Sequence, residues 1–244
     1  MKPSSTFKQL LVITISLLIT ICLFLSFKFR AQDDSQVIIH VEKAGTLSTL
    51  IKSKNKYSIT DLTLSGYLNG TDITFIREMA GGGSLKSIKT EGMLTKLNLA
   101  NANIVEGGDK YFNDFLTKDN SITDYMFAEL FKLTKLVIPN NITSICNGAF
   151  SGCFSLSTFT IPKNVTAIGD FAFAGCFGLT SISIPNCITS IGNYAFTGCY
   201  GFSGTDTFKG IDASMCRLYI PNGTYDDYSN AEGWNYFSNI IEEK

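Results

Sequence analysis

The segment "LTKLVIPNNITSICNGAFSGCFS" that starts at Leu133 returns 23 residues later as "LSTFTIPKNVTAIGDFAFAGCFG" from Leu156, and again as "LTSISIPNCITSIGNYAFTGCYG" from Leu179. Pro139, Pro162 and Pro185 fall in register, as do Ile145, Ile168 and Ile191, Phe150, Phe173 and Phe196, and Cys153, Cys176 and Cys199. A half repeat, "ITDYMFAELFK", precedes them and carries Ile122, Phe127 and Leu130 at the matching positions. One unit of this length cannot bury its own apolar side, so it must stack on its copies. The period therefore predicts a solenoid.

Within each unit, "LVIP", "FTIP" and "SISIP" alternate apolar and polar residues, the period of a strand with one buried face, and proline then ends the ladder. The "AFSGC"-type segment that follows suits a short helical or irregular return. Stacking at the strand spacing of about 4.8 Å gives an α/β solenoid with a parallel β-sheet along one side. Upstream, "ITDLTLSGYLNGTDI" from Ile59 and "LTKLNLANANI" from Leu94 show the leucine-rich pattern L-x-x-L-x-L. Their strand centres, Leu62 and Leu97, lie 35 residues apart and 39 more lead to Leu136, so these coils carry insertions. "RLYIP" supplies a last strand, Leu218 to Pro221, before an aromatic, helix-like tail, and solenoid ends need such caps.

The cysteine ladder admits a chemical and an architectural reading. Leu130 fills the ladder position in the half repeat, and leucine neither ligates metal nor forms a disulfide. The position thus asks for a buried side chain of moderate size, a role that free cysteine fills. Paired Cys-x-x-Cys spacings for zinc are absent. A disulfide between stacked coils stays open, because export would permit oxidation.

If Leu136 and Ile138, Phe159 and Ile161, and Ile182 and Ile184 point inward, the residues between them face solvent. That outward row reads Asp61, Thr63; Lys96, Asn98; Lys135, Val137; Thr158, Thr160; Ser181, Ser183; Arg217, Tyr219. Such a face offers hydrogen-bonding partners to a protein strand or a glycan, with Lys135, Arg217 and Tyr219 as cationic and aromatic anchors. It reads equally as a solvated strand face, where Ser and Thr are ordinary.

Catalytic readings are weaker. His40 is the only histidine and lies in the strand-like "VIIHVEK", so a histidine-based triad would hang on one residue. "AGGGS" at Ala80 to Ser84 lacks the Gly-Lys-Ser/Thr of a phosphate-binding loop. Glu106 with Asp109, and Asp226 with Asp227, sit without a calcium-loop pattern and read as turn or cap positions. Trp234, Tyr236 and Phe237 read as a capping cluster rather than a sugar platform. No enzyme, cofactor or metal is expected.

The first 31 residues hold Lys2, Lys8, Lys28 and Arg30 and no acid; without them 16 basic residues face 21 acidic ones. A mildly acidic body with no basic block argues against nucleic acid as the partner. The uncharged run "LLVITISLLITICLFLSF", Leu10 to Phe27, follows Lys2 and Lys8 and ends near Ala31, the pattern of an export signal. Its length and Phe29, two places before Ala31, also fit an uncleaved anchor. Either reading takes the body out of the cytoplasm, with membrane contact only through this segment.

The 23-residue "IPxxxTxIGxxAFxGCxxL" unit, "AGTLSTLI" at Ala44 to Ile51, "LNGTDITFIREMAG" at Leu68 to Gly81 and the closing "YIPNGTYDDYSNAEGW" together cover nearly all of the chain beyond residue 31. In these marks the chain resembles the BspA-like leucine-rich repeat proteins, the treponema pallidum type of repeat, on the surfaces of Bacteroides and related bacteria. The resemblance implies a right-handed solenoid, no catalysis, and a secreted or cell-surface role in adhesion to host extracellular or bacterial surface proteins or glycans. A structural envelope component without a host ligand is the alternative. The expected organisation is an export signal or anchor over 1–31, an N-terminal cap with irregular coils over 32–121, regular repeats over 122–201 and a C-terminal coil and cap over 202–244.

Overall fold

Each regular repeat contributes two strands rather than one, so the coils build two parallel sheets. The computed structural model describes residues 36–51, 56–82, 90–185, 187–199, 217–223, 225–230, 234–235 and 237–243. The segment Leu10 to Phe27 lies outside them, as do Cys22 and Cys216. No helix among the described residues is long and apolar enough to cross a membrane.

The first sheet holds β1 (Gln36–Val41), β2 (Asp61–Leu68), β3 (Lys96–Ile104), β7 (Lys135–Val137), β9 (Thr158–Thr160) and β11 (Ser181–Ser183), in that order and all parallel. These are the strands that the alternating pattern and the prolines predict. The second sheet runs β6 (Ser121–Ile122), β8 (Ser144–Ile145), β10 (Ala167–Ile168), β12 (Ser190–Ile191), β13 (Arg217–Pro221) and β14 (Asn239–Glu243). It replaces the expected irregular return over the first half of that path. Ile142, Val165 and Ile188, with Ile145, Ile168 and Ile191, point into the core from this side. The two-residue strands β6, β8, β10 and β12 leave no alternation to read, which is why the sequence does not predict them, whereas β13 is the expected strand at Leu218 to Pro221.

The remainder of the return, through the "AFxGC" segment, is a chain of turns bonded from coil to coil. The amides of Tyr125, Phe127 and Glu129 donate to the carbonyls of Asn147, Ala149 and Ser151, and the same pattern repeats one coil on. Between the turns and the first sheet stands a column of rings: Phe127, Phe150, Phe173 and Phe196 stack at centroid separations of 5.9, 5.0 and 5.3 Å. Burying one such side chain contributes about 2–3 kcal/mol, so this column is a main source of coupling between coils.

The cysteine ladder is architecture. Cys153, Cys176 and Cys199 are buried free thiols. Each donates to a carbonyl of the preceding coil: to Phe127 at 3.1 Å, Phe150 at 3.3 Å and Phe173 at 3.2 Å. Burial pushes the Cys153 thiol up to about 12, far from a reactive thiolate. A hydrogen bond to Cys199, together with burial, also raises Cys176. Leu130 at the equivalent position is likewise buried.

A second ladder was not foreseen. Asp124 accepts from the Asn147 amide at 2.9 Å, Asn147 from Asp170 at 2.9 Å, and Asp170 from Asn193 at 2.7 Å. Asp or Asn at this position repeats every 23 residues in the sequence, so the signal was present in the register.

The N-terminal end is closed by the two insertions. The first includes α2 (Gly70–Met79), which follows the short α1 (Leu47–Leu50) and starts on a capping box of Asn69 and Asp72. The Asp72 carboxylate also accepts the amides of Gly45 at 2.6 Å and Leu47 at 2.9 Å, tying the first coil to the helix. The second insertion is the antiparallel hairpin β4 (Gly107–Phe112) and β5 (Phe115–Thr117). Asp109, expected at a turn or cap, instead lies in β4 and exchanges hydrogen bonds with the Thr71 hydroxyl, which donates to its carboxylate at 2.9 Å and accepts its amide at 3.0 Å, while Asn69 caps α2.

At the other end, β13 and β14 pair in parallel through Arg217↔Asn239 and Leu218↔Ile240. The tail expected to be helix-like thus contains a strand as well as the short α3 (Tyr225–Ser229). Trp234 lies 6.0 Å from Phe196 and 6.2 Å from the buried Phe237, continuing the ring column as a cap. Tyr236 lies outside the described residues.

Candidate ligand-binding face of the first sheet

Parallel pairing in register turns single residues into rows across strands. Asp61 pairs with Lys96, Lys96 with Lys135, Lys135 with Thr158, and Thr158 with Ser181. Thr63, Asn98 and Val137 form a second row on the same face, and Thr160 pairs with Ser183. The intervening Leu62, Leu97, Leu136, Phe159 and Ile182 are buried, so the predicted outward residues do face out. Lys96, Lys135, Thr158, Thr160, Ser181 and Ser183 are exposed, while Thr63, Asn98 and Val137 are half-buried.

Arg217 and Tyr219 do not join them. Their strand pairs with β12 through Ser190↔Arg217, in the second sheet, and their side chains lie outside the described residues. Alternation followed by proline specifies a half-buried strand, and it does not say which sheet that strand enters. The row therefore ends at β11 among the described residues.

Over β1, β2, β3 and β7 the face dips into a depression of about 200 Å³. Asp61, Thr63, Lys96, Asn98, Lys135 and Val137 line it, with Leu97 and Gln36 completing the lining. Six of the eight lining residues belong to the row read from the sequence. Lys96 Nζ lies 3.7 Å from Asp61 Oδ2, an ion pair that leaves the lysine side chain 57% exposed. Among the described residues no carboxylate pairs with Lys135.

Three residues of this face went unread: Gln36, Ile38 and Tyr67. Gln36 and Ile38 pair with Asp61 and Thr63, and Ile38 and Tyr67 are 74% and 50% exposed. Alignment of "QVIIH" with "DLTLS" on the buried Leu62 and Leu64 would have placed the first two.

His40 occupies the same face. Its Nδ1 lies 2.9 Å from Ser65 Oγ, its cross-strand partner, at an exposed site. A serine–histidine pair becomes a nucleophile when a third group fixes the other ring nitrogen. Among the described residues no side chain does so, and the pair is a cross-strand contact.

Residues 120–231 match the BspA type leucine-rich repeat region, in six copies. Three solved structures are similar over much of the chain. One is a leucine-rich repeat protein from Bacteroides ovatus, 16% identical over 85% of this chain and 42% of that one, with a TM-score of 0.39. A leucine rich cell surface protein from Faecalibacterium prausnitzii is 21% identical, over 70% of this chain and 43% of that one, with a TM-score of 0.39. The pneumococcal vaccine antigen PcpA is 19% identical, over 77% and 52%, with a TM-score of 0.31. The chain spans about half the length of these proteins. No curated protein matches it.

Proposed function

We propose that this chain, whose residues 120–231 are a BspA-type leucine-rich repeat region, is an exported interaction protein that binds a macromolecule across the outer face of its first sheet. The supporting observation is the continuous solvent-facing row Lys96, Lys135, Thr158 and Ser181, set in register on four stacked strands and opening into the depression beside Asp61. Hydroxyl and amide groups fixed at strand spacing form a rigid array of hydrogen-bonding partners, so little ordering entropy opposes binding. Of the two expected cationic anchors Lys135 stays on this face and Arg217 does not, and the exposed ring of Tyr67 takes the aromatic role expected of Tyr219.

The role that follows is adhesion, to a host extracellular protein, a surface protein of another bacterium, or a glycan. The test is equilibrium binding of the full chain to a panel of matrix proteins, fibrinogen, mucins and bacterial surface glycans. Saturable binding that is lost when Thr158, Ser181 and Lys135 are replaced by glutamate is the expected result. Uniform absence of binding by folded protein would favour a structural envelope component instead.

A further inference from the structure

Lys96 and Lys135 are direct cross-strand partners in adjacent parallel strands, on the same face and in the same row. Like charges placed directly opposite are unfavourable in a sheet. Asp61 neutralises one of them from the far side of Lys96, at 3.7 Å, and no described carboxylate neutralises the other. The surplus positive charge sits at a depression of about 200 Å³, in a body whose overall balance is acidic. Thr63 and Asn98 add neutral hydrogen-bonding groups to the lining, and Leu97 and Val137 add apolar ones. The site is thus short of one negative charge and has space for a small group.

We propose that this depression is an anion site for the carboxylate of an acidic segment of a partner protein, held between the Lys96 and Lys135 ammonium groups. The inference rests on the reading of the first sheet as the binding face. Size and chemistry favour a carboxylate side chain: its oxygens meet the two ammonium groups, while its methylene stem lies against Val137. None of the eight lining residues is aromatic, so the apolar face of an acidic sugar ring would find no stacking platform. Asp61 is the internal competitor, since it draws Lys96 away from the incoming group.

Fluorescence anisotropy of a labelled glutamate-rich peptide against the full chain tests the site, with the glutamine counterpart and an acidic polysaccharide as the other arms. The glutamate peptide binds and the glutamine peptide does not, and binding weakens as salt shortens the Debye length to about 3 Å. Lys96→Gln and Lys135→Gln each lower affinity about threefold and together about tenfold. Asp61→Asn raises affinity about twofold, a gain that a damaged fold would not give. Peptide binding unchanged in the double lysine variant, or no peptide binding at all, overturns the proposal. Lysine-dependent binding of the polysaccharide without the peptide overturns the peptide assignment. Failure of the anion site alone leaves panel binding sensitive to Thr158→Glu with Ser181→Glu, whereas failure of the face reading removes that sensitivity.

Discussion

Arg77 Nη1 lies 3.0 Å from the carbonyl oxygens of both Met126 and Ala128, 49 and 51 residues further along the chain. In each later coil among the described residues the equivalent carbonyls, such as those of Ala149 and Ser151, accept amides from the coil before. The first coil of the turn ladder has no such predecessor. Arg77 takes its place, and Tyr111 does the same for the Asp124 carbonyl at 2.6 Å. One guanidinium and one phenol thus terminate a ladder that would otherwise end in buried unsatisfied acceptors.

This arrangement predicts a large effect from a residue remote from the repeats. Arg77 is 2% exposed, stands over the Phe112 ring at 4.7 Å, and burial pulls its pKa down to about 10. Arg77→Ala leaves the Met126 and Ala128 carbonyls buried without a donor and costs about 3–5 kcal/mol. Arg77→Lys retains a charge but loses the fork geometry and falls between. Urea denaturation of the full chain measures both, and an alanine variant within about 1 kcal/mol of the parent would refute the capping role.

The repeat region was legible because its information is local: alternation, proline position and the 23-residue register fix β7, β9 and β11 and their buried rows. The caps were not. Arg77 meets its partners at separations of 48 to 51 residues, and nothing near Arg77 in sequence marks it as other than a helix-surface cation. Of the candidate face, the row from Asp61 to Ser183 was readable by parity alone. Gln36 entered it by pairing with Asp61, a register legible only from the alternation that "QVIIH" shares with "DLTLS", and Arg217 left it because strand pattern does not encode sheet membership.

The Asx ladder makes Gly192 a position where any side chain is excluded. A Cβ there would stand 2.3 Å from Asp170 Oδ1, 2.6 Å from its amide nitrogen and 2.8 Å from the Gly169 carbonyl carbon. Two of these are backbone atoms held by the coil below, so relief needs the coils to separate. Gly192→Ala is expected to cost about 2–3 kcal/mol. Asp170→Asn keeps the acceptor for the Asn193 amide and is tolerated, whereas Asp170→Ala loses it at about 1–2 kcal/mol. Thermal unfolding of the three variants gives the ranking, and equal loss for Asn and Ala would show that the carboxamide oxygen is not what matters.

Alkaline pH acts through the buried thiols. The Cys153 pKa rises from 9.0 to about 12 on folding, and Cys176 is raised as well. A raised folded value means the native state holds its proton longer, so this stability is complete below pH 9.0 and is lost as pH climbs toward 12. Each thiol contributes a slope of up to about 1.4 kcal/mol per pH unit. Arg77, with a lowered value, works in the opposite direction above about 10, while Tyr111, which burial raises from 10.0 to about 12, adds to the fall as pH approaches 10. The thiols therefore dominate only just above 9.0, and the difference between parent and variant reads them. Cys153→Ala should flatten the fall in unfolding free energy just above 9.0, and an unchanged slope would contradict the assignment.

Two aromatic columns separate core from surface. Phe173 is fully buried, stacked on Phe150 and Phe196 and edge-on to Phe159 at 5.1 Å. Phe177 stacks on Phe154 at 4.8 Å but is 48% exposed. Phe173→Ala removes a ring that three others contact and is expected to cost about 3–5 kcal/mol, against less than about 1 kcal/mol for Phe177→Ser. The loss at Phe173 has a further signature, because stability in a stacked array is a sum of unit and nearest-neighbour interface contributions. Weakening one interface uncouples the coils on either side, so the urea transition broadens and its slope falls while the midpoint drops. Phe177→Ser removes only a half-exposed stack on Phe154 and preserves the slope. A Phe173→Ala variant that unfolds with the parent slope would mean that the coils are coupled through the hydrogen-bonded ladders of the sheets and turns rather than through the ring column.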